Sequence, residues 1–457
     1  MRVSKNKIFT FVALAGIVAL GAYFHFLNIS YPPRPIFDEA HFATYVADYV
    51  KRVPFFDIHP PLGKLIYSAA LSFVVTPQNV KNTDFVTVKE LKTGDRSGDV
   101  VVIDNQLPFN NFPYVFLRGI GAIFGVLLAL AFYWFLRSIG VPNIGALLGA
   151  LFITFENAIL VETRLILMNG MYLVLGFAAL ALYFKKPRWS IASGAVWGLA
   201  LGVKMISIVF AGPLLLCYFA KKKIGKGVEE MGRLRQFVVA AAVIFLIVFS
   251  MNYIIFTPTE HLDVLKSMGV ISYGDAPRLP YLAAPIFDFM YSFGNYVIGN
   301  PNSLQSPWYF WPAMQIPMTY FYETVGNYLR QIVLTGNPIV WYLSTLAAIC
   351  AIAILPRYIK KFLRTKNFDE NKPFFILLAG FVSSLLPFAT IVRRSTFLYH
   401  YFPAYIFGMG LLVWFIAKAL KVGDWNTLNI RQVLALAVVV ILSFAGFLYA
   451  APFTYGL

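Results

Sequence analysis

Long apolar segments recur along almost the whole of this 457-residue chain, and they constrain its fold more than any other feature. A run of about 20 apolar residues crosses a bilayer as a helix, because a helix satisfies every backbone polar group within the segment. We predict eleven such spans, at about 8–28, 114–136, 143–160, 164–184, 188–203, 205–220, 236–256, 337–356, 373–391, 399–419 and 431–451. The expected fold class is an all-α polytopic membrane protein, a single domain over residues 1–457 with no separate soluble domain.

The basic residues predict the orientation of these spans. The first span is too long for a signal peptide and lacks a cleavage site, so we interpret it as an uncleaved anchor. With the N-terminus inside, the inner segments carry the whole formal net charge of +17, and the outer segments are balanced. This is the positive-inside pattern, so membrane topology explains the charge and we reject nucleic-acid binding.

Two long segments face outside in this topology, at 29–113 and 257–336. The first contains two amphipathic stretches with apolar residues at helical spacing, one from His41 onward and one after Pro60 and Pro61. We predict that both are helices at the outer membrane interface, packed against the bundle. The stretch 76–112 is polar and turn-rich, which predicts a mobile loop.

Two adjacent carboxylates, Asp38 and Glu39, follow the first span directly. Asp38 precedes a predicted helix, so it could be an N-cap that accepts a backbone hydrogen bond. The alternative is a proton acceptor in a pocket at the membrane surface, and the residue pattern leaves both interpretations open. Glu39 has no capping role and is expected to support its neighbour.

A second polar cluster, Asp57 and His59, lies in the stretch FFDIHPP. The pair could ligate a metal, but no third or fourth ligand is nearby, so we favour a turn organised by Asp57 and predict no metal site. His59 is also a candidate for contact with a substrate.

Cations on the outer face form the counterpart of these acids. Arg118, Arg164 and the group Arg393, Arg394 and His400 flank spans, where snorkelling at the interface is the alternative explanation. Lys204 lies in the apolar stretch LGVKMIS, and a lysine there is costly unless an anion faces it. Together with Trp308 and Trp311, which could stack on a sugar or belong to an interfacial aromatic belt, these groups suit a lipid-linked sugar phosphate.

Several motifs resemble the protein O-mannosyltransferases, membrane glycosyltransferases of the GT-C fold. They occur in family order and cover most of the chain: FDEAHF (37–42), FFDIHPPLGK (55–64), YVFLRGIGAIFG (114–125), ENAILVETRLILMNGMYL (156–173), GLALGVKMIS (198–207), GNPIVWYLS (336–344) and FLYHYFPAYIF (397–407). The resemblance implies eleven spans with a cytoplasmic N-terminus, as the charge pattern predicts.

The resemblance also implies an activity, which is inverting transfer of mannose from polyprenyl-phosphate-mannose to Ser or Thr hydroxyl groups of proteins. Asp38 would then be the base, with Glu39 beside it. The candidates for binding the donor phosphate are Arg118, Lys204, Arg393, Arg394 and His400, and those for positioning substrate are Asp57, His59, Trp308 and Trp311. No cofactor is expected, because the lipid-linked sugar is a substrate, and the logic of a single displacement requires no metal.

Eukaryotic members of this family carry a β-trefoil MIR domain in an outer loop, and 257–336 is too short and too aromatic to hold one. We therefore expect a prokaryotic-type enzyme in the plasma membrane, with its site outside the cytoplasm and acceptor proteins coupled to secretion. Two alternatives stay open. A related GT-C enzyme could modify a lipid or polysaccharide, and a polyprenyl-lipid flippase would require carboxylates at mid-membrane.

Overall fold

The structure is a computed structural model, and it describes residues 5–53, 55, 57, 59–80, 85–92, 99–255, 305–390, 396–423 and 425–457. The described part contains fourteen α-helices and four β-strands. The helices are α1 (Lys5–Phe26), α2 (Glu39–Lys51), α3 (Leu62–Leu71), α4 (Tyr114–Ile139), α5 (Asn143–Thr154), α6 (Asn157–Thr163), α7 (Asn169–Lys185), α8 (Ser190–Val203), α9 (Ala211–Lys223), α10 (Gly227–Ile255), α11 (Pro338–Thr365), α12 (Lys372–Thr390), α13 (Phe402–Ala419) and α14 (Ile430–Tyr455). The strands are β1 (Val86–Lys92), β2 (Asp99–Gln106), β3 (Met318–Val325) and β4 (Tyr328–Leu334).

Eight helical segments of the described chain are long and apolar enough to cross a membrane, and α5 with α6 adds a ninth if that bent pair is one span. The predicted polytopic helical fold is therefore confirmed. Every predicted span falls on helix, but α7 and α8 have only 17 and 14 residues, which is short for a full crossing. The count of eleven crossings stays a prediction.

Side-chain caps mark the starts of α6, α11 and α14. Asn337 accepts from the N–H groups of Ile339 and Val340 at the start of α11, and Pro338 occupies the first helical position. Asn429 and Gln432 form a reciprocal capping box on α14. These local signals fix the ends of the outermost helices, while α4 and α7 pack together at the centre of the bundle with α8 beside α7.

The break between α5 and α6 bends the chain by 60° and is stabilised by a buried carboxylate. Glu156 accepts from the N–H of Ala158 at the start of α6 and from the N–H of Asn337 at the start of α11, at 3.2 and 3.0 Å. The hydroxyl of Tyr405 on α13 donates to its other oxygen. Three elements that are far apart in sequence therefore meet at this bend.

The stretch 76–112 contains structure that the sequence analysis missed, because β1 and β2 pair as an antiparallel hairpin. A second hairpin, formed by β3 and β4, lies in the predicted outer segment 257–336. Its two-residue loop is Gly326 and Asn327, and Gly326 has a φ of +60°. A glycine–asparagine pair between alternating apolar residues is a recognised hairpin signal, so the sequence did carry the information.

The two predicted amphipathic helices are confirmed as α2 and α3. Nine of the 13 residues of α2 are buried, and α3 packs against α4 and α8 as well as against α2. Both helices are therefore part of the protein interior, and their packing places the residues that precede α2 over the centre of the bundle.

Close approach of α8 to α10 gives a testable prediction. A Cβ added at Gly194 of α8 would lie 2.1 Å from the backbone oxygen of Phe237 on α10, whereas one added at Gly16 of α1 would meet nothing within 4 Å. Gly194→Ala should therefore lower the free energy of unfolding by about 1–3 kcal/mol, because the two backbones must separate. Gly16→Ala is the matched control and should not lower it, because an alanine without a clash inside a helix is favourable by up to about 1 kcal/mol.

The measurement is the thermal unfolding midpoint of each purified variant in the same detergent. Equal midpoints for Gly194→Ala and Gly16→Ala would contradict the tight contact between α8 and α10.

Candidate active site

A buried ion pair between Glu39 and Arg118 is the anchor of the site. The guanidinium donates to both carboxylate oxygens, with Nε–Oε1 at 2.8 Å and Nη2–Oε2 at 2.7 Å, and both side chains are 0% exposed. Glu39 also accepts from the N–H of Ile166 at 3.0 Å and from that of Ile36 at 3.3 Å. One side chain at the start of α2 therefore ties together α4, the turn before α2 and the link between α6 and α7.

Arg118 uses its remaining donors on the backbone that leads from α1 to α2. It donates to the carbonyl oxygens of Ile29, Pro32 and Arg34 at 3.0–3.2 Å. Its guanidinium also lies 4.9 Å from the ring centre of Tyr114. Because all three nitrogens are engaged and the side chain is buried, the phosphate contact predicted for Arg118 does not fit this arrangement.

Asp38 lies at the N-cap position of α2, but its carboxylate makes no capping hydrogen bond, and its φ and ψ of −69° and −6° are already helical. The N-cap interpretation is therefore wrong, and only the backbone carbonyl of Asp38 serves the helix, by accepting from the N–H of Phe42. Among the described residues, no hydrogen bond or ion pair is made by the carboxylate of Asp38. Since Glu39 is anchored in the interior, its neighbour on the helix projects in another direction.

The electrostatic surroundings of Asp38 suit a proton acceptor. Burial raises the pKa of the Asp38 carboxyl above its usual value, the positive charges of His41 and Lys204 act against that rise, and the charge of Asp57 adds to it. A carboxylate with a raised pKa is a stronger base than an exposed one and still ionises next to a lysine.

Lys204 is one of two cations whose positive charge acts on Asp38, and the other is His41. Lys204 follows α8 and is 8% exposed, and its ammonium donates to the side-chain oxygen of Asn169 at 2.8 Å and lies 4.6 Å from the ring centre of Tyr399. Its charge acts on both Asp38 and Glu162. The apolar stretch around Lys204 predicted an anionic partner, but the sequence did not identify Glu162.

Three residues that sequence reasoning missed complete this polar group. Glu162 accepts from the side-chain amide of Asn169 at 2.7 Å and from the hydroxyl of Tyr320. Tyr320 belongs to the β3–β4 hairpin, and its ring stacks on Phe37 with centroids 4.1 Å apart. Glu162 and Asn169 lie within the motif at 156–173, so their polar character in an apolar region was the available signal.

The backbone before Asp38 is held in an unusual conformation. Phe37 has a φ of +52°, which costs free energy in a residue with a side chain and is tolerated where surrounding contacts determine it. Those contacts are the stacked ring of Tyr320 and the edge of Tyr399, whose centroid lies 6.1 Å away. Phe37, Tyr320 and Tyr399 therefore form an aromatic cluster next to Asp38.

Asp57 and His59 form a structural turn next to the site. The ammonium of Lys64 donates to the carboxylate of Asp57 and to the carbonyl of His59, and the backbone N–H of His59 also bonds to Asp57. Burial by itself would raise the pKa of Asp57, but the charges of Lys64 and His59 hold it below the usual value. Asp57 is therefore paired, unlike Asp38, and the ring of His59 stacks on Phe42 of α2.

The remaining predicted site residues lie in different surroundings. Trp311 is 1% exposed and its indole donates to Ser306, so it packs in the interior and is not placed to stack on a sugar. Trp308 is partly exposed one helical turn earlier. His400 is buried behind Tyr399 and accepts from the N–H of Phe397 through Nδ1. Arg393 and Arg394 lie outside the described residues.

Within the described ranges, no group of three or more His, Cys, Asp or Glu side chains could hold a metal ion. The prediction that catalysis needs neither metal nor cofactor is untested by this observation. What the arrangement can do is accept a proton at Asp38 and stabilise an anion beside Lys204.

Comparison with known proteins places the chain in a family. A family model described as "Dolichyl-phosphate-mannose-protein mannosyltransferase" matches residues 16–265, which is more than half of the chain. A second model, "C-terminal four TMM region of protein-O-mannosyltransferase", matches residues 288–457. Together the two models account for both the region of the acidic pair and the C-terminal spans.

Sequence relatives and solved structures agree with these matches. "Protein O-mannosyltransferase 1" of Drosophila pseudoobscura pseudoobscura is 32% identical over 44% of this chain, but the alignment spans only 19% of that relative's length. The donor-bound Pmt1–Pmt2 complex of S. cerevisiae superposes with a TM-score of 0.76 at 15% identity, over 100% of this chain and 91% of the matched one. ArnT from Cupriavidus metallidurans bound to undecaprenyl phosphate gives 0.51 at 13% identity, over 93% and 63%. The structural similarities show a GT-C glycosyltransferase fold.

The Glu39–Arg118 pair gives a second testable prediction. Glu39→Gln preserves the shape of the side chain but leaves the buried guanidinium without its anion, and we expect a loss of about 3–5 kcal/mol of unfolding free energy. The matched control is Glu370→Gln, which breaks the exposed ion pair with Lys361, where both side chains are about 40% exposed. That change should cost less than about 1 kcal/mol.

Both variants are compared by thermal unfolding and by the yield of monodisperse protein in detergent. Similar losses for the two substitutions would show that Glu39 does not anchor the site.

Proposed function

We propose that this chain, which belongs to the dolichyl-phosphate-mannose-protein mannosyltransferase family, transfers mannose from a polyprenyl-phosphate donor to Ser or Thr hydroxyl groups of proteins. The observation that carries the proposal is the position of Asp38, a carboxylate without a hydrogen-bonding partner among the described residues, opposite the ammonium of Lys204. The choice of donor follows the description of the matched family. Transfer from that donor needs a proton acceptor, which Asp38 supplies, and a positive charge for the leaving phosphate, which Lys204 supplies.

The proposed base is Asp38. A serine or threonine hydroxyl is a weak nucleophile, and its proton must leave as its oxygen bonds to the anomeric carbon of mannose. Asp38 takes that proton, and the bond between the anomeric carbon and the phosphate oxygen breaks on the opposite face. A single displacement of this kind inverts the configuration and requires no second carboxylate as a nucleophile.

The proposed stabiliser of the leaving group is Lys204. The departing polyprenyl phosphate is a stable anion and needs a nearby positive charge more than a proton. The charge of Lys204 acts on Asp38, so the proposed cation and the proposed base belong to the same pocket. Arg393, Arg394 and His400 stay candidates for further phosphate contact, and Trp308 and His59 for contact with substrate.

The setting of the reaction is part of the proposal. We place the N-terminus in the cytoplasm and the site on the outer face of a prokaryotic plasma membrane, as the positive-inside distribution predicts. The acceptors are then exported proteins, modified as they are secreted. The expectation that 257–336 holds no MIR domain belongs to the same proposal, since 256–304 lie outside the described residues.

The direct test is incubation of the purified chain with radiolabelled polyprenyl-phosphate-mannose and a Ser/Thr-containing peptide. Label in the peptide supports the proposal. Label that enters only lipid or polysaccharide would assign the chain to the related class of GT-C transferases, and donor movement across vesicles without transfer would assign it to the flippases.

Replacement of the base gives the third prediction. Asp38→Asn keeps the size of the side chain but cannot accept a proton, so transfer should fall by about 100-fold or more. Donor binding should remain, because Lys204 is unchanged. Asp48→Asn is the matched control, since Asp48 lies on α2 and pairs with Lys51 at 3.1 Å. Transfer by Asp38→Asn at the rate of Asp48→Asn would exclude Asp38 as the base.

The pH profile gives the fourth prediction. Protonated Asp38 cannot act as a base, so activity falls as the pH drops through its pKa, which burial raises and the charge of Lys204 lowers. Removing that charge in Lys204→Met should therefore move the acidic limb of kcat/KM to higher pH. His41→Gln should move it in the same direction, since the charge of the exposed His41 also lowers the pKa of Asp38.

The measurement is kcat/KM for the acceptor peptide between about pH 4 and 8, the range where perturbed carboxyl groups and histidine titrate. An unchanged limb, or a shift to lower pH in Lys204→Met, would refute the assignment of that limb to Asp38.

A further inference from the structure

The hydrogen bonds beside the site form a chain that begins at Lys204. The Lys204 ammonium can only donate, so the Asn169 oxygen must face it, at 2.8 Å. The amide nitrogen of Asn169 then faces Glu162, at 2.7 Å, and Glu162 must accept there. At its other oxygen Glu162 accepts from the Tyr320 hydroxyl. Lys204 therefore determines the orientation of the Asn169 amide, and Asn169 and Glu162 connect it to Tyr320.

Tyr320 lies at an irregularity in its strand. In the β3–β4 register, Thr319 pairs with Val333 and Phe321 with Ile332, which leaves Tyr320 as the unpaired residue of a bulge. Such bulges are common beside active sites. Tyr320 and Phe321 are both buried here, and the Tyr320 ring stacks on Phe37 while its hydroxyl donates to Glu162.

The hairpin is also attached to the segment that carries Asp38. Tyr31 donates to Glu323, and the ring of Tyr31 meets that of Phe321 edge-on at 6.0 Å. Strand β3 therefore contacts Phe37 through the ring of Tyr320 and is linked to Lys204 through the hydroxyl of Tyr320, Glu162 and Asn169.

We infer that Tyr320, Glu162 and Asn169 are positioning residues that hold the Lys204 ammonium in place for the donor phosphate, and that the β3–β4 hairpin thereby controls donor binding. A lysine has a long flexible side chain, and fixing it before the ligand arrives lowers the entropic cost of binding. The inference rests on the proposed function, because it assumes the phosphate of a polyprenyl donor as the ligand.

The experiment is a double-mutant cycle with dolichyl phosphate as the probe. The dissociation constant of the purified full chain for dolichyl phosphate is measured in detergent for the unaltered chain, Tyr320→Phe, Lys204→Met and the double variant. Tyr320→Phe removes one oxygen and keeps the ring that stacks on Phe37. Its matched control is Tyr322→Phe on the same strand, where the side chain is 71% exposed.

We expect Tyr320→Phe to weaken binding by about tenfold, as for loss of a hydrogen bond to a charged group, and Tyr322→Phe to have no effect. In the Lys204→Met background, Tyr320→Phe should cause no further loss, because it acts through Lys204. Asn169→Leu cuts the chain at its middle and should give the same non-additive result. Thermal unfolding of each variant confirms that folding is retained.

Two outcomes overturn the inference: unchanged binding by Tyr320→Phe, or an equal loss in both backgrounds, which would mean a structural role independent of Lys204. Absence of dolichyl phosphate binding by a chain that still transfers mannose also overturns it and leaves the proposed function intact. Conversely, a non-additive cycle in a chain without transfer activity supports the positioning role and removes the proposed function.

Discussion

The buried pair of Glu39 and Arg118 is the interaction on which the site depends. Its cost of desolvation is large, and it is offset here because every donor of the guanidinium and both carboxylate oxygens are bonded. The pair connects α2 to α4 and reaches the backbone at Ile166, three residues before Asn169. A displacement of Glu39 would therefore move both Asp38 and Asn169, which binds Lys204. This explains why a buried acid, Glu39, lies next to the proposed base.

The sequence predicted the fold well where one physical rule dominates. Apolar length predicted the helical segments, since hydrocarbon leaves a chain few other ways to satisfy its backbone, and amphipathic spacing predicted α2 and α3. The β3–β4 hairpin was missed because the aromatic residues near it suggested either a surface that stacks on a sugar or an interfacial belt, and neither alternative predicts a strand. A short strand has no long apolar run of the kind that identifies a membrane-spanning helix, so it is harder to recognise in the sequence of a membrane protein.

The site was predictable only in part, because charge in the sequence does not reveal which charges are already paired. The sequence marked Asp38 and Lys204 as separate candidates, one for the base and one for the phosphate ligand, and their electrostatic interaction appears only in the structure. Arg118 looked equally available, yet three carbonyl oxygens and Glu39 occupy it. Tyr320 is 158 residues from Glu162 in the sequence, so no local pattern could join the two.

Lys204 acts electrostatically on two carboxylates, Asp38 and Glu162, and its position bears on the movement of charge in the proposed reaction. As the acceptor proton reaches Asp38, that residue loses its negative charge, and the leaving phosphate gains one. The total charge of the pocket is therefore unchanged. Lys204 donates to Asn169, which in turn donates to Glu162, so the cation is held in place before the reaction. A preorganised cation that stabilises both the initial and the final anion needs no rearrangement during the displacement.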